Sequence, residues 1–266
     1  MSAIDDLFTK LRAENRKALM PFVTAGDPDL EFTAEVIQEL VARGAAMCEV
    51  GIPYSDPIAD GPVIQASYTR ALDKKVKLAG ILNMLGAVAP QVSAPLVTMV
   101  SYAIIYRHGV EAYADELNER GLAGMIVPDL PVEESPQLAE ICAKRDLSLV
   151  QLITPTTPQD RALRIAATSS GFIYYVSVAG ITGERTQLPP ELVERVTWLR
   201  EQTPLPVCIG FGISQPEHVR MLSQVADGLI VGSAVVRRIA ETTENGRQAT
   251  LKSVGDYVSS LLAALN

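Results

Sequence analysis

Short apolar runs rich in Val, Ile, Leu and Met alternate along the chain with longer stretches in which apolar positions recur every three to four residues. The first pattern predicts strands buried on both faces, the second amphipathic helices. A leading helix is predicted over Ala3 to Arg16. Strands are predicted at Ala18 to Thr24, Met47 to Ile52, Leu96 to Val100, Gly124 to Val127, Ser148 to Ile153, Phe172 to Val176, Pro206 to Ile209 and Gly228 to Val231. Helical periodicity fills the intervals: Phe32 to Arg43, Gln65 to Leu72 with Leu78 to Ala89, Val110 to Glu119, Glu133 to Arg145, Gln159 to Thr168, Glu191 to Glu201, Pro216 to Gln224, and Ala234 onward. Eight β/α units in 266 residues, with no linker or composition break, predict one α/β domain over 1–266. The expected fold is a closed (β/α)8 TIM barrel with an extra N-terminal helix; an open parallel sheet of irregular order is the alternative.

One residue breaks the apolar pattern. Glu49 lies in the middle of the run Ala46-Met47-Cys48-Glu49-Val50-Gly51-Ile52, and the following loop, Pro53 to Pro62, carries Asp56 and Asp60. An ionised carboxylate inside an apolar strand costs on the order of several kcal/mol unless it is paired, protonated or used. Strand alternation groups Met47, Glu49 and Gly51 on one face and Cys48 and Val50 on the other. Glu49 therefore points either into a barrel mouth or, on an edge strand, into solvent. In the first case, two carboxylates near one strand end can divide acid–base work between them.

Glycines mark three further strand ends: Gly180 and Gly183, Gly210 and Gly212, and Gly232 before Ser233. Glycine admits an anion close to backbone N–H groups, and the loops after strands seven and eight are a recurrent phosphate seat of barrels. A turn at Gly212 and a helix cap at Ser233 are the plainer alternatives. Phe22, Val100, Ile126, Tyr174 and Phe211 lie in or just after predicted strands, where ordinary barrel core is the plain reading.

Composition narrows the chemistry. A net charge of −8 disfavours nucleic acid and anionic membrane as partners, and no apolar run reaches membrane-spanning length, so a cytoplasmic protein is expected. Cys48, Cys142 and Cys208 are scattered and read as reduced core thiols. His108 and His218 have no neighbours at metal-ligand spacing, so no metal site is expected. None of the seven lysines (10, 17, 74, 75, 77, 144 and 252) lies at the C-terminal end of a predicted strand, which disfavours a Schiff base. Carboxylate chemistry on an organic phosphate, with no protein-bound cofactor, remains.

The stretches Pro21-Phe22-Val23-Thr24-Ala25-Gly26-Asp27-Pro28, Glu49 through Pro62, Pro128-Asp129-Leu130-Pro131 and Gly180-Ile181-Thr182-Gly183, with the glycine segments near 212 and 232, resemble the α subunit of tryptophan synthase over essentially the whole chain. The resemblance implies retro-aldol cleavage of indole-3-glycerol phosphate to indole and glyceraldehyde 3-phosphate. It implies an acid–base role for Glu49, an Asp60 that meets the indole nitrogen, and Thr182 on a lid over the site. Substrate contacts are expected from Phe22, Val100, Tyr102, Ile126, Tyr174, Thr182, Gly183, Phe211, Gly212, Gly232 and Ser233. Asp56 and Pro57 are expected to face a pyridoxal-phosphate-dependent β subunit in an α2β2 complex. Two places depart from many relatives: Ala103-Ile104-Ile105, where Asn-Pro is common, and Val178, where some members carry arginine. A free-standing indole-glycerol-phosphate lyase, a catalytically silent phosphate-binding regulatory subunit and another phosphate-binding barrel enzyme are the competing readings.

Overall fold

The computed structural model describes residues 1–57, 60–176, 189–210 and 212–265. Eight parallel strands close on themselves: β1 (Ala18–Thr24), β2 (Cys48–Gly51), β3 (Leu96–Met99), β4 (Gly124–Ile126), β5 (Ser148–Ile153), β6 (Ile173–Val176), β7 (Val207–Gly210) and β8 (Gly228–Val231). Closure is direct, since β1 pairs with β8 through Ala18↔Gly228 to Pro21↔Val231. The fold is therefore the (β/α)8 barrel, and the open sheet is excluded.

Helices α1 (Ala3–Ala13), α2 (Leu30–Ala42), α3 (Pro62–Asp73), α4 (Leu78–Val88), α5 (Tyr102–His108), α6 (Val110–Glu119), α7 (Ser135–Ala143), α8 (Gln159–Thr168), α9 (Pro190–Gln202), α10 (Pro216–Leu222), α11 (Ser233–Ala240), α12 (Thr242–Asn245) and α13 (Arg247–Leu265) surround or close the barrel. Prolines set several of the starts. Pro62 and Pro136 occupy the first turns of α3 and α7, where a missing N–H costs nothing. Periodicity alone had placed those two starts three residues late and two residues early.

The hydrophobic residues divide into two layers. The larger packs strand faces against the helices and includes Cys48, Val50, Val100 and Val127. The smaller fills the barrel and includes Met20, Phe22, Met47, Val97, Met99, Ile126, Val150, Phe172 and Cys208. Period-two alternation along each strand generates this division. α1 joins the inner layer through Ile4, Phe8 and Leu11, with the Phe8 ring 5.9 Å from that of Phe172. A capping box between Ser2 and Asp5 starts α1, and Ser2 Oγ lies 2.6 Å from Ser148 Oγ at the N-terminal end of β5. This helix thus seals the end of the barrel away from the strand C-termini.

The helix α5 is absent from the sequence reading. Its seven residues are too few to display periodicity. They are held by tertiary contacts: Ser101 caps the helix, and Asp129 from the loop after β4 accepts from Ser101 Oγ at 2.6 Å and from the Tyr102 N–H at 2.8 Å. Gly109, at φ 103°, separates α5 from α6. No helix among the described residues is long and apolar enough to cross a membrane.

Candidate active site

Glu49 sits in register with Phe22 of β1 and Val97 of β3, on the inward face shared with Met47. It is 0% exposed, and among the described residues neither carboxylate oxygen has a hydrogen-bond partner. Burial pushes its carboxyl well above the ordinary glutamate value. The solvent-facing alternative is thereby ruled out: among the described residues Glu49 is an unpaired acid inside the barrel, and burial favours its protonated form. A native fold rarely leaves such a group without a reason. The same strand face is closely packed one step further on. A Cβ on Gly51, two residues further along the same face, would meet the Phe22 ring at 2.4 Å and Tyr68 Oη at 2.8 Å.

A cavity of about 500 Å³ opens at the C-terminal ends of the strands; Phe22, the register partner of Glu49, lines it, whereas Glu49 itself does not reach its wall. Asp60 stands on its wall. Gly61 and Pro62 after it begin α3, and Gln65 Nε2 holds the turn by donating to the Asp60 carbonyl at 2.7 Å and the Pro57 carbonyl at 3.2 Å. Burial raises the Asp60 carboxyl to about 6. Burial therefore shifts both acids toward the protonated form, and Asp60, at about 6, is still mostly ionised at neutral pH. The hydroxyls of Tyr68 and Tyr174 are raised first by burial and then by these carboxylates, so both phenols stay neutral hydrogen-bonding groups.

Of the expected substrate contacts, Phe22, Tyr174, Gly212, Gly232 and Ser233 line this cavity with Asp60. Three do not. Val100 packs outward against the helices, because β3 turns Val97 and Met99 inward, and Met99 forms the wall in its place. Ile126 is inward but wholly buried; alternation brings β4 to the wall two residues later, at Pro128. Tyr102 belongs to α5, where its ring lies 6.3 Å from that of Tyr106, and its backbone is tied to Asp129. Thr182, Gly183 and Phe211, with Val178, lie outside the described residues. Asp56 is exposed and accepts from Ser55 Oγ at 2.6 Å, with Pro57 half-buried beside it. Sequence reasoning missed Met99, Leu152, Val63, Ile64, Ile213 and Arg237 on the wall.

The glycine end of the cavity is anchored from two sides. Nδ1 of His218, on α10, accepts from the Ser214 N–H at 3.3 Å, and Tyr257 Oη from α13 donates to the Ser214 carbonyl at 3.1 Å. Gly212 has φ +78°, and no atom of the described residues lies within 4 Å of where its Cβ would stand. A side chain there is strained and would also project into open cavity. Gly212→Val is expected to weaken glycerol 3-phosphate binding at least about tenfold, measured by calorimetry. Unaltered affinity would remove Gly212 from the anion seat.

A second cavity, of about 440 Å³, lies at the opposite end among Arg12, Arg16, Lys17, Arg200 and Asp227. Its arginines have structural employment. Arg200 reaches Asp227 Oδ1 at 3.3 Å and the Val225 carbonyl at 3.1 Å, Arg12 donates to the Pro204 carbonyl at 2.9 Å, and Arg16 pairs with Glu14 at 2.9 Å. Asp227 also accepts from the Val207 N–H at 3.0 Å, so the group ties α1 and α9 to the starts of β7 and β8. Among the described residues no group of three or more His, Cys, Asp or Glu could hold a metal ion.

Fold and site together define a (β/α)8-barrel protein with two carboxyls raised by burial and a glycine-edged cavity at the C-terminal ends of its strands. Residues 8–263 match the family model for the tryptophan synthase alpha chain. The chain is 54% identical to the tryptophan synthase alpha chain of Rhodopirellula baltica, over all of this chain and 99% of that one. It is similar in structure to tryptophan synthase subunit alpha of Legionella pneumophila, with TM-score 0.91, 36% identity, and coverage of 100% and 98% of the two chains. A chain of the tryptophan synthase complex of Pyrococcus furiosus gives TM-score 0.83 and 35% identity over 93% of this chain and 99% of that one. The chain belongs to the tryptophan synthase alpha chain family, and with the family comes lyase activity in tryptophan biosynthesis.

Proposed function

We propose that this chain cleaves indole-3-glycerol phosphate to indole and glyceraldehyde 3-phosphate, with Glu49 and Asp60 as its catalytic residues. The carrying observation is Glu49, a fully buried carboxyl without a hydrogen-bond partner among the described residues, in register with Phe22 on the wall of a cavity that Asp60 also lines. The reaction needs an acid first. Glu49 gives its proton to indole C3, which leaves an indolenine with positive charge toward N1. Asp60, ionised above about pH 6, balances that charge. The hydroxyl on the carbon bonded to C3 then returns a proton to Glu49. Its O–H electrons become the aldehyde C=O, and the breaking C–C pair restores the indole ring. One carboxyl serves as acid and then as base, and the proton count closes.

The apolar wall of Phe22, Met99, Leu152 and Tyr174 suits the indole ring, and the Gly212, Gly232 and Ser233 edge suits the phosphate. Helix α11 begins at Ser233, so its first N–H groups have no acceptors within the helix. Thr182, Gly183 and Phe211 complete the proposed contacts. The relative from Pyrococcus furiosus was solved as a tryptophan synthase complex. A pyridoxal-phosphate-dependent β subunit is accordingly the proposed partner, receiving indole within a cytoplasmic α2β2 assembly, with Asp56 and Pro57 toward it.

Indole release from indole-3-glycerol phosphate, with and without the cognate β subunit, tests the proposal. The isolated chain should turn over slowly and gain at least about tenfold with the partner, on the order of 1.4 kcal/mol of barrier. Full activity unchanged by the partner would favour a free-standing lyase, and no indole under either condition would end the reading.

A further inference from the structure

The cavity wall carries a cation that the paired-carboxylate chemistry does not use. Arg237 is exposed, lines the cavity, and forms no hydrogen bond or ion pair among the described residues. Its neighbour Arg238 is committed: the guanidinium lies 3.5 Å from the Tyr257 ring centroid and donates to the Ala234 carbonyl at 2.9 Å. Ser233, Ala234 and Arg237 all reach the wall because positions three and four apart share one face of α11. Side chains on a helix lean toward its N-terminus, so Arg237 is directed back over the first turn, toward the anion seat.

Charge gives the residue its task. Among the described wall residues Asp60 and Arg237 are the two charged side chains, and the chain as a whole carries −8. A phosphate dianion entering this site meets a carboxylate and an acidic protein. Backbone N–H groups bind phosphate but distinguish poorly between one negative charge and two. A guanidinium adds a full charge and a planar fork that fits two phosphate oxygens.

Resting on the phosphate-substrate reading above, the geometry points to Arg237 as the residue that selects a dianionic phosphate monoester, completing a seat otherwise built from backbone. The test uses the full chain and two probes at pH 8, glycerol 3-phosphate and its methyl ester, which is a monoanion. Wild type should prefer the dianion. Arg237→Gln should lose about tenfold in affinity for glycerol 3-phosphate while its affinity for the methyl ester changes by less than about twofold, and Arg237→Lys should restore most of the preference. Equal losses for both probes would mean that Arg237 only shapes the loop, and unchanged affinity for both would mean that it does not face the ligand. Either outcome overturns the proposal while leaving the enzyme reading intact. Failure of wild type to bind glycerol 3-phosphate at all would instead overturn the reading beneath it.

Discussion

Glu49→Gln should abolish indole formation, by at least about 10²-fold in kcat, while glycerol 3-phosphate still binds. The amide matches the carboxyl in shape but neither gives nor takes a proton at these pH values. The carboxyl is on β2 and is not part of the Gly212, Gly232 and Ser233 edge proposed to take the phosphate, so affinity for the anion should survive. Near wild-type turnover would dismiss Glu49 as the acid. The same variant should also be the more stable protein, because it removes an acid buried without a partner. The sign follows from the raised proton affinity in the fold. Stability contributed by the protonated carboxyl is complete below the unfolded value of about 4.3, and is lost as pH rises from there through the folded value. The amide does not titrate. The Tm of Glu49→Gln minus that of wild type should therefore widen from pH 4 to pH 8, and a difference constant with pH would contradict the burial of an uncompensated acid.

Asp60→Asn should lower kcat by roughly 10²-fold, with a smaller effect on KM, because an amide cannot balance positive charge that develops at N1 only in the transition state. The carboxyl titrates at about 6. Wild-type kcat/KM should therefore fall as pH drops through 6, and this acid limb should vanish in the residual activity of the variant. A rise in KM alone, with kcat preserved, would reduce Asp60 to a binding group.

The barrel was legible because each strand is short, apolar and followed by helical periodicity, and Glu49 because a carboxylate interrupts such a strand. The proposed substrate contacts were less so. Neither Met99 nor Val100 marks which of them faces inward; the phase is fixed by pairing with β2, where Val97 meets Glu49. Leu152, Val63 and Ile64 reach the cavity from β5 and α3, elements far apart in sequence, and nothing local announces their convergence. Arg237 hides in an Arg-Arg pair that reads as a solvated helix end. The helix α5 depends on Asp129, a residue 27 positions from Tyr102, so no window along the chain contains its cause.

The N-terminal helix has a bearing on chemistry it never touches. Ile4, Phe8 and Leu11 close the lower mouth of the barrel, and the same inner layer runs on through Met20 and Met47 to Phe22 and Val97 beside Glu49. Acid strength at Glu49 is set by how little water reaches it. From below, that dryness depends on α1. Loosening α1 would admit water from beneath, lower the proton affinity of the carboxyl toward the ordinary glutamate value, and weaken its hold on the proton in an otherwise undisturbed cavity. The proton affinity of the active site is in this sense a property of the whole vessel, down to its base.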